Sequence, residues 1–532
     1  MAFNLLLVFL LPILSMPFVY FAGKKSSKAA GTLVGLVALT NIGLVLSVVP
    51  AIINNSIYTE EYTWIPVLNS HFSLFLDGIS ASIAIITLVL IVAAAVFSIK
   101  YMEGKKNLPV YYALLSLLSV GLVGVFITSN FLLFYFCWEL MLVPAYFIIG
   151  GWGYRDSYRA AFKLFIFTHA GAVFVLLGIG AIYITTGQSD MFAAQSALLN
   201  PAYGGIAKWI LLALTAGFAV KMAVVPVHMW LPDAHSEAPA TMSALLSGVI
   251  ISAGAYAILR LSLVTVLPGI TLNDLSFATS FLHGLTIFGV ISAFFGAFIA
   301  LVETDIKRII AYSSIAHMGY VMFGLSLFPL GSALTLAQTS ASTGAASTAQ
   351  AALTLTAIVA GSVAVLGTVL HIITHAVSKG LLFLSAGTIM HETKERDIRK
   401  MGGIIGKMPF TGISSIMAAF SIAGSPPFAC FWSELFIFVG AFEIIKDDGF
   451  FTIPTVFMLI ATVLSLAYSL RFVHKVFLGQ SKTENEEGPA GKRVFNVPNS
   501  MKVALAILAT FVVILGVHPT FFINLIRAVA LI

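Results

Sequence analysis

Seven ionisable side chains stand in stretches of this sequence that are otherwise almost wholly apolar: Glu139, Lys221, His317, His371, His375, Lys379 and Glu434. A charge in the interior of a bilayer costs at least about 2.5–3.5 kcal/mol, so such groups line a bundle interior or a wet path, where they can carry protons. His371, His375 and Lys379 follow one another at four-residue steps. On a helix each step advances about 6 Å and turns the face by only about 40°, so the three form one stripe. They are too widely spaced for direct proton hops without water or hydroxyls between them, and Thr374 and Ser378 place hydroxyls on the same helix. Lys221 raises a different possibility. Burial disfavours an ammonium and a nearby carboxylate favours it, so a lysine held between the two loads and releases a proton as its partner moves. Glu139, mid-span in a run from Asn130 to Pro144, is the carboxylate expected to face it. The bland alternatives are helix pinning by Glu139, a static Glu139–Lys221 pair and satisfied core histidines. A neutral Gln would pin helices more cheaply than Glu139, and three titratable groups on one stripe are more than packing requires.

Proline punctuates these segments. Pro144 follows Glu139 and should free the backbone carbonyl one turn earlier, where it could help polarise the site. Pro226 and Pro232 should break the span of Lys221, and Pro426 and Pro427 the span of Glu434. Broken helices near the midplane are a recurring device of ion transporters. Phe218–Trp230 and Phe420–Trp432 form a faint internal repeat, equal in length, opening on Phe, interrupted by Pro and ending on Trp. His228, Asp233 and His235 follow Lys221 closely and are secondary candidates. His71, His474 and His518 lie near span ends, at headgroup level.

The elements that must position these groups are transmembrane helices. Hydrophobic residues make up 59% and charged residues 9% of the chain, and the mean hydropathy is +1.01. That charge is too sparse to solvate a soluble surface of this size. With roughly 20 apolar residues per crossing, apolar runs fall near 3–22, 29–53, 77–99, 109–128, 130–151, 160–185, 206–230, 240–266, 278–302, 309–330, 353–390, 409–440, 452–478 and 501–530. That makes about fourteen spans in a single membrane domain over residues 1–532. The run at 353–390 is too long for one straight helix, and Gln338–Gln350 reads as a flexible loop before it. The first run lacks a basic leader region and a cleavage pattern, so it is expected to be retained as a span. Most of the 28 basic residues gather in alternate loops, which by the positive-inside rule puts those loops in the cytoplasm and both termini outside. Lys208, Arg260, Lys446 and Arg527 fall on the outer side in this scheme. The charge of +6 is therefore a matter of membrane orientation, not of nucleic-acid binding. Two isolated cysteines, Cys137 and Cys430, cannot ligate an iron–sulfur cluster, and no phosphate-binding glycine loop follows a strand. No cofactor or metal is expected in this chain.

Four stretches carry a family resemblance: NFLLFYFCWELMLVP at 130–144, FAVKMAVVPVHMWLPDAHSEAP at 218–239, ETDIKRIIAYSSIAHMGYV at 303–321 and HETKERDIRKMGG at 391–403. The chain resembles the antiporter-like membrane subunits of respiratory complex I over about residues 70–480, most closely chain M. The resemblance implies an all-α polytopic protein of about fourteen helices with helices 7 and 12 broken. It also implies two inverted five-helix repeats, at 109–266 (spans 4–8) and 278–478 (spans 9–13). It implies that Glu139 and Lys221 form a coupling ion pair, that Glu434 is the terminal proton carrier, and that the chain pumps protons for an oxidoreductase of the NADH:quinone type. Flavin, iron–sulfur and quinone sites are then expected in partner subunits, and the location is a prokaryotic inner membrane. Two departures stand out. Ser252 occupies the place where relatives carry a lysine in the eighth span, and HIITHAVSKGLLFL at 371–384 is more similar to chain L or to multisubunit sodium/proton antiporters. The middle of the relay is therefore expected to run through His317, His375 and Lys379. A multisubunit cation/proton antiporter, a membrane-bound hydrogenase or an F420H2 dehydrogenase subunit is the alternative function, and a scaffold with inert charges a third.

Overall fold

The computed structural model describes residues 4–55, 57–68, 70–330, 362–478 and 495–528. The loop expected at Gln338–Gln350, the start of the 353–390 run and the loop cations Lys482, Lys492 and Arg493 lie outside the described residues. The spans are α1 (Asn4–Lys25), α2 (Ser27–Asn55), α3 (Gly78–Tyr101), α4 (Leu108–Ile127), α5 (Phe131–Trp152), α6 (Ser157–Thr186) and α7 (Gly204–Met222, then Leu231–Glu237). They continue as α8 (Ala240–Asn273), α9 (Leu275–Val302), α10 (Ile306–Ser326), α11 (Val363–Thr393), α12 (Pro409–Ile422, then Cys430–Ile444), α13 (Thr452–Val473) and α14 (Asn499–Val517). Thirteen of these contain a helix long and apolar enough to cross a bilayer, and α12 makes the fourteenth from two short halves. α11 is one continuous helix over its described length.

Both expected breaks are present. The first half of α7 stops at Met222, where Ala223 takes a left-handed conformation (φ 60°) and closes the helix by donating to the carbonyls of Ala219 and Val220. Pro226 lies inside the interruption, whereas Pro232 opens the second half of the helix, a position where its missing N–H costs nothing. α12 stops at Ile422, and Gly424 (φ 66°) makes the corresponding turn before Pro426 and Pro427.

The spans sort by how much apolar surface they hide. α8 and α11 are enclosed along their full apolar length and form the centre of the bundle. α1, α2, α6, α9 and α13 present large apolar side chains outward, among them Phe18, Leu36, Leu177, Phe298 and Val463, as a bilayer-facing wall requires. α9 and α10 cross closely enough that a Cβ at Gly296 would meet the backbone of Ala316, and one at Gly319 that of Ala293. Small residues permit this approach, which lipid-embedded helices use in place of a hydrophobic driving force. α8 contains two π-helical stretches, Leu246–Ile250 and Ile258–Val266, on either side of Ser252.

One element had no counterpart in the apolar ruler. Between α2 and α3, strands β1 (Ile57–Ile65) and β2 (Ser70–Asp77) form an antiparallel hairpin, Glu60 opposite Leu74. The Glu60 carboxylate accepts from the backbone N–H groups of Leu5 (2.9 Å) and Leu6 (3.0 Å) and so caps the first turn of α1.

Arg260 corrects the charge map. It does not lie in an outer loop but inside α8, buried, with its guanidinium on the Asp77 carboxylate at the start of α3. Ser80 and the rings of Phe75 and Tyr256 complete its surroundings. Removing one member of such a pair leaves a buried charge uncompensated, at about 3–5 kcal/mol. Asp77→Ala should therefore lower the unfolding temperature of the detergent-purified protein steeply, and adding Arg260→Met should restore most of it. Unchanged stability in the single variant would contradict the pairing.

Candidate functional site

The first group of candidates gathers at α5 and the first half of α7. Lys221 is buried, and its ammonium donates to the backbone carbonyl of Trp138 (2.8 Å) while lying 4.0 Å from that residue's ring centroid. The expected direct Glu139–Lys221 pair is not formed. Glu139 follows Trp138 by one residue, which rotates its side chain by roughly 100° around the helix. Its Oε2 meets Nδ1 of His169 on α6 instead, at 3.4 Å, and its Oε1 is buried without a hydrogen-bond partner among the described residues. The carbonyl that meets Lys221 belongs to Trp138, not to the residue one turn before Pro144. Glu139 and Lys221 nevertheless sit on the same side of the bundle, joined through one backbone residue. His169, half exposed and stacked on Phe165, completes the group. The sequence reading missed it: a titratable ring inside an apolar run is the signal that could have found it, but its single occurrence on α6 gave no pattern.

The second group is tighter than its sequence spacing suggested. His371 and His375 on α11 are bridged by His317 from α10, whose ring lies 5.3 Å and 5.6 Å from theirs. His317 Nδ1 is 3.1 Å from His371 Nε2, a direct hydrogen bond. The remaining ring nitrogens of His317 and His371 are held by hydroxyls. His317 Nε2 meets Tyr468 of α13 (3.1 Å) and His371 Nδ1 meets Ser433 of α12 (2.9 Å). Tyr468 in turn contacts Ser465 (2.7 Å), and Ser433 contacts Thr374 (3.1 Å). Glu434, next to Ser433, brings its carboxylate within 4.8 Å of His317 and His371, and its Oε1 has no partner among the described residues. Lys379 donates to Ser313 and to the carbonyl of Ile310 (3.2 Å), with Ser378 bonded to Ser421 (2.7 Å) beside it. These groups are buried and turned inward, so the polar stripe faces the bundle and not the lipid.

α8 separates the two groups and touches both. Gly254 packs on Phe218 and Met222 of α7, Gly248 packs on Ala376 of α11, and Ser247 bonds Ser314 of α10 (2.8 Å). Ser252 is buried between, its hydroxyl without a partner among the described residues. The secondary candidates divide. His228 lies in the α7 break against Phe295. Asp233 is a clamp, accepting from Lys163 (2.7 Å) and Arg308 (2.9 Å) at the end of the molecule that carries the basic loops. His235 is fully buried, stacked on Phe383 of α11, and both of its ring nitrogens lack partners among the described residues. At the same end Arg396 bridges Asp305 and Glu237. Burial opposes its charge, but the two carboxylates more than offset this and hold the guanidinium above its ordinary range.

The arrangement is one of proton carriers and hydroxyls. Buried polar atoms without a protein partner cost about 1–3 kcal/mol each unless water reaches them. Glu139, Ser252, His235, His375 and Glu434 each contribute at least one such atom. All four ring nitrogens of His317 and His371 are already engaged in hydrogen bonds.

Comparison with known proteins bears on the family and the fold. The model of the family described as NADH:quinone oxidoreductase/Mrp antiporter, transmembrane, matches residues 128–333 and 328–465. NADH-quinone oxidoreductase subunit M of Pseudomonas aeruginosa is 32% identical over 86% of this chain and 81% of its own length. The same-named subunit of Escherichia coli is also 32% identical, over 86% and 82%. F(420)H(2) dehydrogenase subunit M of Methanosarcina mazei is 29% identical over 87% and 84%. Among solved structures, a chain of the Mrp complex from Dietzia superposes with TM-score 0.78 at 19% identity, covering 100% of this chain and 97% of that one. A chain of respiratory complex I from Thermus thermophilus gives 0.78 at 20%, covering 98% of each. The chain is a multi-pass membrane protein and belongs to the NADH:quinone oxidoreductase/Mrp antiporter transmembrane family.

Proposed function

We propose that this chain is the proton-translocating, antiporter-like subunit of a complex I-type oxidoreductase, nearest to subunit M, which couples electron transfer in partner subunits to proton movement across a prokaryotic plasma membrane. The observation that carries this reading is the line of inward-facing Lys, His and Glu groups, joined by hydroxyls, in the most enclosed part of the bundle. The names of the relatives support an oxidoreductase assembly with other membrane subunits as partners, and in this reading the flavin, iron–sulfur and quinone chemistry lies in partner subunits. The basic loops face the cytoplasm on the positive-inside rule, which puts the two termini outside. Two halves, 109–266 and 278–478, each contain one broken helix and act as the two repeats.

Glu139 is the switch. With its carboxylate on His169, Lys221 has only a carbonyl and an aromatic face to hold its charge. With the carboxylate turned toward Lys221, the ammonium gains an anion in a low-dielectric setting. A charge change in a neighbouring subunit that moves Glu139 between these two positions decides whether Lys221 holds its proton. The proton then crosses α8 by hydrated hydroxyls, Ser252 among them, to Lys379 and the His375–His317–His371 set, and leaves from Glu434. Small changes in hydration at the two helix breaks provide alternate access. Sodium is the less suited ion. It is a hard cation that prefers oxygen ligands, whereas ring nitrogens and ammonium groups make up most of this line.

Lys221→Met should abolish proton pumping in inverted membrane vesicles while the subunit still assembles; normal acidification with the variant present would sink the role given to Lys221. Gly424→Ala forces a left-handed φ on a residue with a Cβ, at roughly 1–2 kcal/mol, and drives that Cβ into the Glu434 carboxylate. Pumping should fall on the order of tenfold, equivalent to about 1.4 kcal/mol, with subunit content unchanged. Wild-type pumping in that variant would separate Glu434 from proton release.

A further inference from the structure

His317, His371 and Glu434 come from three different helices, α10, α11 and α12, so no spacing motif joins them along the chain. In the fold each brings one ligating atom to within 4.8 Å of the other two, and all three side chains are buried. His317 Nδ1 and His371 Nε2 stand 3.1 Å apart. Two nitrogens on one tetrahedral zinc ion, each at about 2.0–2.1 Å, are about 3.3 Å from each other, so this pair already has the spacing of a chelating one. The Glu434 carboxylate lies against Gly424 at the break in α12, and its Oε1 has no hydrogen-bond partner among the described residues. His375 borders the set, its ring centroid 5.6 Å from that of His317 and 6.3 Å from that of His371. Neither of its ring nitrogens has a partner among the described residues.

A metal-bound imidazole donates its other ring N–H to an oxygen, which fixes the tautomer and the plane of the ring. Both oxygens are in place here, the Tyr468 hydroxyl 3.1 Å from His317 Nε2 and the Ser433 hydroxyl 2.9 Å from His371 Nδ1. Each hydroxyl has a further group to which it can turn its own hydrogen, Ser465 (2.7 Å) for Tyr468 and the carbonyl of Cys430 (2.8 Å) for Ser433. The two neutral rings carry one N–H each, and one of these lies in the hydrogen bond between them. Moving that hydrogen to the outer nitrogen of its ring frees both inner lone pairs for an ion, and the rings lose no proton. Two imidazoles and one carboxylate suit zinc, whereas magnesium and calcium take oxygen ligands. Three protein ligands also leave a fourth position open.

We infer that His317, His371 and Glu434 form an inhibitory site for a divalent transition-metal ion of the zinc class. An ion held there occupies the nitrogens through which His317 and His371 pass a proton. It also places two positive charges where the next proton must arrive, in a low-dielectric setting. The site is regulatory and holds no resident cofactor. Metal binding stands on the geometry of the set alone, whereas the block of pumping rests on the relay reading given above.

The probe is zinc chloride, applied to the intact, chelator-washed complex in detergent. Bound zinc is counted by elemental analysis, and its ligands are read from zinc-edge X-ray absorption. The wild-type complex should hold one zinc ion per copy of this chain at least about tenfold more tightly than His371→Gln or Glu434→Gln. The absorption difference should show imidazole nitrogens at about 2.0–2.1 Å. Equal zinc content and affinity in the wild type and either assembled variant overturns the site. Should neither variant assemble, cobalt(II) in the wild-type complex decides: the intense visible bands of a four-coordinate ion support the site, and the weak bands of an octahedral ion overturn it. In inverted vesicles loaded with zinc on both faces, pumping should fall at least about tenfold relative to uncoupled electron transfer, and a chelator should restore it. Zinc bound at the site with pumping intact rejects both the inhibition and a relay through His317 and His371. Unchanged zinc binding in a His371→Gln complex that no longer pumps rejects the metal site alone.

Discussion

A charge far from water must be held by something, and the whole centre of this protein is organised by that requirement. Lys221 is held by a carbonyl and an indole, Lys379 by a carbonyl and a serine hydroxyl, Lys307 by the carbonyls at a helix end. Among the described residues none of the three has a carboxylate in contact. A full ion pair would fix the charge in one state, whereas dipoles hold it without committing it. Arg260 shows the other solution. It is locked to Asp77 and ringed by aromatic groups, and a residue that is always charged is suited to a static role. Lysines held by dipoles and an arginine locked in an ion pair are two physically different ways of keeping a buried charge in one bundle.

Helix interiors and helix ends both supply those dipoles. Trp138 within α5 and Ile310 within α10 each lend a carbonyl to a lysine, and the second half of α7 receives Lys307 at its C-terminal end. In α12 the break allows Gly424 to turn tightly beside the Glu434 carboxylate. The prolines at these positions cannot donate a backbone hydrogen bond, so the bonding pattern of a continuous helix cannot close over them.

Most of the scaffold was legible because lipid imposes simple rules. Length, hydropathy and proline positions gave fourteen spans, and the two breaks fell where Pro226 and Pro426–Pro427 stand. The hairpin at Ile57–Asp77 was not legible as apolar length, since its strands alternate and lie outside any span. The site was legible as a set of residues and less so as a set of pairings. His371, His375 and Lys379 were placed correctly on one face, but the short link between them came from His317 on another helix. Glu139 and Lys221 were brought to the same place without touching, because their relation depends on the rotation of one residue around α5 and on His169, a lone ring with no motif around it. Nothing in the sequence around Lys307 marked it for burial, which comes from the packing of distant elements: Tyr154, Arg396 and the end of α7.

Ser252 bears on how the two halves communicate. A lysine in the middle of α8 would place a third movable charge between Lys221 and Lys379, and each transfer would then be felt as repulsion by its neighbours. A serine removes that charge but leaves a hydroxyl that both donates and accepts, buried and unpartnered, at the point where α8 separates the two groups. Proton transfer across α8 then depends on how well water occupies the space around one hydroxyl. The electrostatic push from Lys221 must act over the full width of the helix. On the far side the acceptor is a histidine set that shares hydrogen bonds with tyrosine and serine hydroxyls, so a proton crossing α8 would meet groups already linked to one another.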